Sequence, residues 1–481
     1  MNMDKDTSQL DNRRYLLIVV SVAFSAFMSG LNNYIVTVSL PTIANYFNTG
    51  TGEISRVVLA YLLTLTSSLL LFGQLGDRIG LKKIFITGYT VFTAGSLLCG
   101  LSSGINMLVG FRLLQGLGAA MLSSSGFAII AKYLPPDRTG RSYGIVSASV
   151  ALGITTGAPL GGIITGYLTW QWIFFVNVPI GAAAVIIAGK CIPGDPARED
   201  LRGKEKKSFD LPGAALSFFG LATLLYSINV GKTAGWASPT IIISFALAIG
   251  LLAFFAVREA TCACPLLDFG IFRNRTLSFA LLATSMVFMW VAANTFLLPF
   301  YLEIIKHQSI QQTSMVLFLY ALVHVIFSPQ VGRLADRVRP GKLCAIGLAS
   351  ACSSSFFFSY ALRLDGMAYV LVFAVWIAAS YVFFFAPNSK QIMRLAPSGS
   401  HGSASGILNT TSFLSMTFGV AIFENIFSRG FHDFLPTGVS LFRAGIPVPL
   451  LIKGFSTAYA FGGVACLAAF CFSLAGQDRG S

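Results

Sequence analysis

The sequence predicts an all-α polytopic membrane protein of about fourteen transmembrane helices. Three observations predict it: an apolar composition, a series of long apolar runs, and basic residues confined to alternate connections. Of 481 residues, 55% are hydrophobic and only 11% charged. A soluble domain of average usage carries roughly a quarter charged residues. So few charges could not coat a soluble protein of this size, and lipid must solvate much of the exterior.

A helix needs about 20 mostly apolar residues to span the hydrocarbon. Such runs occur at 15–36, 58–76, 84–103, 105–131, 143–166, 171–190 and 212–230. They continue at 239–257, 277–302, 313–331, 343–361, 367–387, 403–427 and 455–475. The gaps at Gly104 and near Thr169 are the shortest, so the flanking helices there turn back within a few residues. Barrel strands would instead alternate polar and apolar residues over about ten positions. These runs are longer and apolar throughout.

The net charge of +14 would suit a nucleic-acid binder, but its placement argues otherwise. Most Lys and Arg fall in Asp77–Lys83, Lys132–Arg141, Lys190–Lys207, Arg258–Arg275 and Arg333–Lys342. Those stretches alternate with charge-poor connections at Pro41–Asn48, Ser102–Asn106 and Tyr167–Gln171. Positive charge kept to one side sets membrane topology. The pattern predicts both termini cytoplasmic, the lipid bilayer as partner and no nucleic acid; the expected location is the cell inner membrane. Met1–Arg14 is polar and the first apolar run is long enough to span, so no cleavable signal peptide is expected. The eight Cys form no C-x-x-C pair and read as small packing residues; metal binding, with Cys262 and Cys264 two apart, is a remote second.

Two connections repeat each other. Gly73-Gln-Leu-Gly-Asp77-Arg78-Ile-Gly80-Leu-Lys82-Lys83 follows the second segment, and Gly332-Arg-Leu-Ala-Asp336-Arg337-Val-Arg-Pro-Gly341-Lys342 follows the tenth. If each marks the same place in an equivalent half, segments 1–6 and 9–14 are the halves, with 7 and 8 inserted. The predicted units are 1–190, a linker 191–211, the insert 212–257, a linker 258–276, and 277–481. Parallel six-helix repeats with a midplane site between them are a known transporter plan.

Together with four other motifs, these connections resemble the major facilitator superfamily, and within it the fourteen-helix drug:proton antiporters of the EmrB/QacA-like branch. The others are Arg112-Leu-Leu-Gln115-Gly116-Leu-Gly118-Ala119-Ala120, Gly157-Ala-Pro159-Leu-Gly161-Gly162, Leu31-Asn32-Asn33 through Pro41, and Trp172 through Gly181. The resemblance implies a major facilitator fold, efflux by proton exchange, and a latch at the repeated connections. In that latch Gly73 and Gly332 permit close helix approach, and Asp77 either caps a neighbouring helix N-terminus or pairs with Arg78. Asp336 and Arg337 take the same places in the second half. Gly153, Gly157, Pro159, Gly161 and Gly162 match the antiporter motif, with Pro159 removing a backbone hydrogen bond and the glycines packing against the other half.

Charges inside apolar segments are the informative residues, because burial in lipid is expensive without a role. Inside their ends (Lys190 closes the sixth), the fourteen segments hold Arg112 and Glu424 as formal charges and His324 as a titratable group. Arg112 lies about two turns into its helix, too deep to snorkel, and is expected to face the pathway. His324 reads equally as packing residue or proton carrier, and Glu424 as a solvated rim carboxylate or part of the pathway. The resemblance implies a proton-carrying Asp at position 32, where this chain has Asn32. Coupling would then fall to Glu424, Glu303 or His324, and the site beside Arg112, with Asn33 and Gln115, would favour anionic or neutral substrates. Glu53 and Arg56, three apart, could form a rim pair of little energetic weight.

Other functions fit less well. His307, His324, His401 and His432 make no helical metal pair, and no phosphate-cradling G-x-x-x-x-G-K-[ST] loop is present. An enzyme is therefore not expected, nor a cofactor. The expected partners are a small-molecule substrate and protons or another coupling ion, with periplasmic adaptor and outer-membrane components as further candidates. The alternative is a carrier of one organic acid or other metabolite with altered or no proton coupling.

Overall fold

In hydrocarbon every backbone N–H and C=O must be paired within the protein, which favours continuous helices. A computed structural model of the chain describes residues 12–194, 210–262, 265–267, 269–397, 399–429 and 447–476. Most of the first linker, Cys264 and His432 lie outside them. The first half comprises α1 (Asn12–Phe47), α2 (Thr51–Ile79), α3 (Leu81–Gly100), α4 (Ile105–Tyr133), α5 (Thr139–Tyr167) and α6 (Trp172–Cys191), which breaks briefly at Val176. Then come α7 (Leu211–Ala234) and α8 (Pro239–Thr261). The second half comprises α9 (Arg275–Ile305, its last turn a π-turn after Pro299), α10 (Ile310–Arg337), α11 (Pro340–Ala361), α12 (Ala368–Leu395), α13 (His401–Ser428) and α14 (Val448–Ala475). Thirteen of these are long and apolar enough to cross a membrane. The other, α3, is diluted by Gly and Thr and opens on Lys82 and Lys83.

Several helices run beyond the predicted segments. α1 continues through Pro41 to Phe47, and α12 through Pro387 to Leu395, while α2 starts at Thr51 and α14 at Val448. Hydropathy marks only the apolar stretch, whereas helical hydrogen bonding continues through the interface. A single Pro removes one of these bonds and neighbouring helices tolerate the gap.

Helices α7 and α8 pack on each other and sit outside the two-half bundle, with α7 lying along α2 and touching α13. Asp210 anchors the pair. Its carboxylate caps α7 by accepting from Gly213 N at 3.1 Å, and Arg258 Nε donates to it at 2.9 Å from α8. Burial opposes its ionisation, but the Arg258 hydrogen bond and the Gly213 N–H hold the carboxyl below its ordinary range. From the stretch after α8, Pro265 O accepts from Gln74 Nε2 on α2, and Leu266 packs with Ala214, Phe255 and the flank of Leu70 and Leu71.

The hydrophobic cores define the conformation. At the end carrying Asp77 and Asp336, the first-half core continues into Leu277, Ala280, Met393, Ala404, Ile407 and Leu408 of the second half. Toward the opposite end the cores separate: Ile35, Val36, Ile54, Val57, Cys99 and Leu108 cluster with first-half residues, and Trp290, Phe358, Phe373 and Tyr459 with second-half residues. The bundle is therefore sealed at the Asp77 end.

Candidate functional site

Two reciprocal helix caps, at the connections expected to act as latches, join the halves at that end. Asp77, ending α2, accepts from Gly402 N at 2.6 Å, Ser403 N at 2.7 Å and Ser403 Oγ at 2.8 Å, so it caps α13 of the opposite half. Asp336, ending α10, accepts from Gly140 N at 2.8 Å and Arg141 N at 2.9 Å, capping α5 of the first half. A carboxylate at a helix N-terminus meets unpaired N–H groups and the positive end of the dipole. Glycine allows this approach: a Cβ on Gly73 would stand 2.5 Å from Gly402 O, and one on Gly140 would stand 2.5 Å from Gly332 O. Arg78 is partly buried and Arg337 exposed, each next to its latch Asp.

One member of the second latch lies beyond the segment expected from hydropathy. Lys390, on the extension of α12 past Pro387, is buried and forms an ion pair with Asp336 while donating to Ala335 O at 3.2 Å. Gly140 and Gly144 on α5, and Gly402 and Gly406 on α13, were also not singled out by sequence reading. The signal was present as a G-x-x-x-G spacing at the start of two equivalent helices.

The expectation that the later α5 glycines pack against the other half does not hold. Gly153, Gly157 and Gly161, one turn apart, close on Phe27, Leu31, Tyr34 and Ile35 of α1 in the same half. Gly162 faces open space and Pro159 is exposed. The helical period puts 140 and 144 on one face of α5 and 153, 157 and 161 on another.

Between the ends, α1, α2, α3, α4 and α6 enclose a polar cluster around Arg112, which is fully buried. Arg112 Nε donates to Val57 O at 3.0 Å, and Nη1 donates to Gln115 Oε1 and to Asn32 Oδ1 at 3.4 Å. Gln115 Nε2 donates to Asn32 Oδ1 at 3.1 Å and Ser96 Oγ at 2.7 Å. The guanidinium lies 4.2 Å from the Tyr61 ring centroid, a cation–π contact. Among the described residues no carboxylate touches Arg112; amides, a carbonyl and an aromatic face surround it. Two buried donors, Arg112 Nη2 and Asn32 Nδ2, have no partner.

His324 lies elsewhere, where α10 meets α5. Its Nε2 stands 2.7 Å from Ser147 Oγ, and its ring meets Tyr381 of α12 edge-on at 5.1 Å. Asn33 is partly exposed on α1; Glu303 on the α9 π-turn and Glu424 near the end of α13 are partly buried at the end remote from the latches. The structure thus joins Asn32, Arg112 and Gln115 but sets none of Asn33, His324, Glu303 and Glu424 in hydrogen-bond contact with them. Glu53 and Arg56 are exposed and form no ion pair among the described residues.

Two helical halves, reciprocal caps at one end and a buried cation in one half fit a polytopic membrane transporter. The chain belongs to the Major Facilitator Superfamily, whose family model matches residues 22–420. It is 30% identical over 415 residues to the riboflavin transporter RibZ of Clostridioides difficile, covering 86% of this chain and 88% of that one. It is 29% identical over 409 residues to the methylenomycin A resistance protein of Bacillus subtilis, covering 85% and 86%. It is 28% identical over 417 residues to the multidrug resistance protein Stp of Mycobacterium tuberculosis, covering 86% and 76%. Among solved structures, the human organic anion transporter MFSD10 (TETRAN) superposes with a TM-score of 0.63 at 12% identity, covering 97% of this chain and all of that one, which shows the shared fold.

Proposed function

We propose that the chain is an inner-membrane efflux carrier, of the fourteen-helix drug:proton antiporter type, that exports small amphipathic compounds in exchange for protons. The observation that carries this reading is the pair of reciprocal latches, Asp77 on α13 and Asp336 on α5. Each joins the two halves at one end, so breaking both together opens that end. With the basic connections cytoplasmic, the latched state faces outward. The relatives named for methylenomycin A and multidrug resistance support export.

A second reading, a carrier of one organic acid or other metabolite, is favoured by the Arg112 cluster. A buried guanidinium without a carboxylate leaves positive charge and unpartnered donors for an anionic group. The riboflavin transporter among the relatives is consistent with a single metabolite as cargo. The test is compound-resistance profiling of cells expressing the chain, repeated with the proton gradient collapsed. Resistance to several unrelated compounds, lost on collapse, supports the first reading. Tolerance or uptake confined to one acid, insensitive to collapse, supports the second.

A further inference from the structure

The two latches continue into two seams related by the internal repeat. On α10 the residues facing α5 recur every four positions: Asp336, Gly332, Ser328 and His324. Their partners on α5 are Gly140 with Arg141, then Gly140, Gly144 and Ser147. On α2 the same four-residue steps give Asp77, Gly73, Leu69 and Leu65. Gly402 with Ser403, then Gly402 and Gly406, meet the first three on α13. The seams match in spacing and in their Asp and Gly; they part in chemistry at the third step, Ser328 against Leu69, and at the fourth, where one has buried Leu65 and the other His324. Ser147 fills the place of Asn409, which instead donates to Ser123 O at 3.1 Å.

We propose that His324 is where proton binding is tied to opening of the α5–α10 seam, so that the coupling ion is read between the halves and not beside Arg112. This rests on the proton-exchange reading above. The polar groups facing the ring are Ser147 from α5, Tyr381 from α12 and Tyr320 of its own helix; among the described residues no charged side chain contacts it. Asp336 and Lys390, the nearest charges along the seam, are already paired with each other.

A neutral imidazole fits this environment, exchanging one hydrogen bond with Ser147. An imidazolium carries a full charge and two N–H donors, and Ser147 satisfies one of them. Its second donor and its charge call for water, and the seam leaves the residue only 5% of its surface to meet it. Protonation therefore favours the state in which α5 and α10 part, and closing the seam expels the proton. Leu65 gives the other seam no such dependence.

The test is hydrogen exchange of the whole protein in lipid nanodiscs from about pH 5 to 8, spanning the ordinary histidine range, corrected for the intrinsic pH dependence of exchange. The readout is protection of peptides containing Gly140 and Arg141, the amides that Asp336 caps. Expected is a loss of protection toward low pH in wild type that disappears in His324→Gln. Ser147→Ala, which leaves the imidazole but removes its partner, should shift the midpoint. His401→Gln controls for the other histidine at the latch end and should leave the curve unchanged. A flat wild-type curve, or the same titration in His324→Gln, overturns the proposal. A titrating latch in a wild type whose efflux ignores the proton gradient would remove the exchange function and leave the His324 switch standing.

Discussion

Asp77 Oδ1 stands 2.6 Å from the backbone nitrogen of Gly402, a residue 325 positions further along the chain. The contact has an internal copy, Asp336 on Gly140, so each half caps a helix of the other. Both contacts lie at one end, so under the proposed latch role their strength sets how firmly that end stays closed.

Removing one latch carboxylate should bias the carrier without unfolding it. Asp77→Asn keeps one acceptor oxygen but loses the charge at the α13 N-terminus. Losing a cap costs about 1 kcal/mol, a shift of about fivefold in the closed-to-open ratio. Labelling of a cysteine introduced on the Gly73 face should speed up, and flux should fall at unchanged membrane insertion. Asp336→Asn should be more damaging, since it strands the buried Lys390 ammonium without its counter-charge. Equal flux in both variants and wild type would reduce the latches to ordinary turns.

The glycines give a sharper contrast. Gly157→Ala would bring a Cβ to 2.9 Å from Tyr34 Cβ, whereas Gly162→Ala meets nothing within 4 Å. Overpacking costs about 1–3 kcal/mol, so thermal unfolding in detergent should fall for Gly157→Ala and stay put for Gly162→Ala. The same loss in both would show that the motif acts through something other than the α1–α5 contact.

Much of this was legible in the sequence, and the rest was hidden for physical reasons. Apolar runs revealed the helices because lipid requires them. The repeated Gly73–Lys83 and Gly332–Lys342 connections pointed to the two equivalent helix ends because a sharp helix end needs Gly and Asp. Lys390 lies beyond the apolar run at 367–387, because hydropathy does not see a helix that continues into the interface. Its pairing with Asp336 depends on α10 and α12 lying side by side, which no local pattern encodes. The partner of Asp77 was one of two open possibilities, since capping another helix and pairing with Arg78 both suit a carboxylate at a helix end.

The anchor of the inserted pair should respond to acid. The Asp210 carboxyl is held below its ordinary range in the fold, so its contribution is complete above the unfolded carboxylate value of about 3.9 and is lost as pH falls through the depressed folded value. Protection of the α7 N-terminal amides against hydrogen exchange should thus hold from neutral pH down to about 4 and fail only below it. Arg258→Gln should move that failure to higher pH. An unchanged acid midpoint in Arg258→Gln would mean that Gly213 N–H capping alone sets the behaviour of Asp210.

The last prediction concerns Arg112 and Asn32, whose Nη1 and Oδ1 lie 3.4 Å apart. Asn32 contributes an acceptor there without charge, and Gln115 bridges it to the guanidinium. Asn32→Asp replaces the unpartnered Nδ2 donor with a second carboxylate oxygen and forms a buried ion pair that a proton can open. The cluster would then carry no net charge when ionised, and transport should move away from anionic toward cationic compounds or gain a new pH dependence. Arg112→Ala removes the cation, leaves Val57 O and Gln115 Oε1 without their donor, and should abolish transport. Arg112→Lys keeps the charge but not the planar fork that reaches Val57, Gln115 and Asn32 together, so it should retain only part of the activity. Flux against pH in proteoliposomes, for wild type and the three variants at matched protein, decides it. Matching pH profiles and substrate preference for wild type and Asn32→Asp, with Arg112→Ala still active, would make the cluster a structural anchor and move substrate recognition elsewhere.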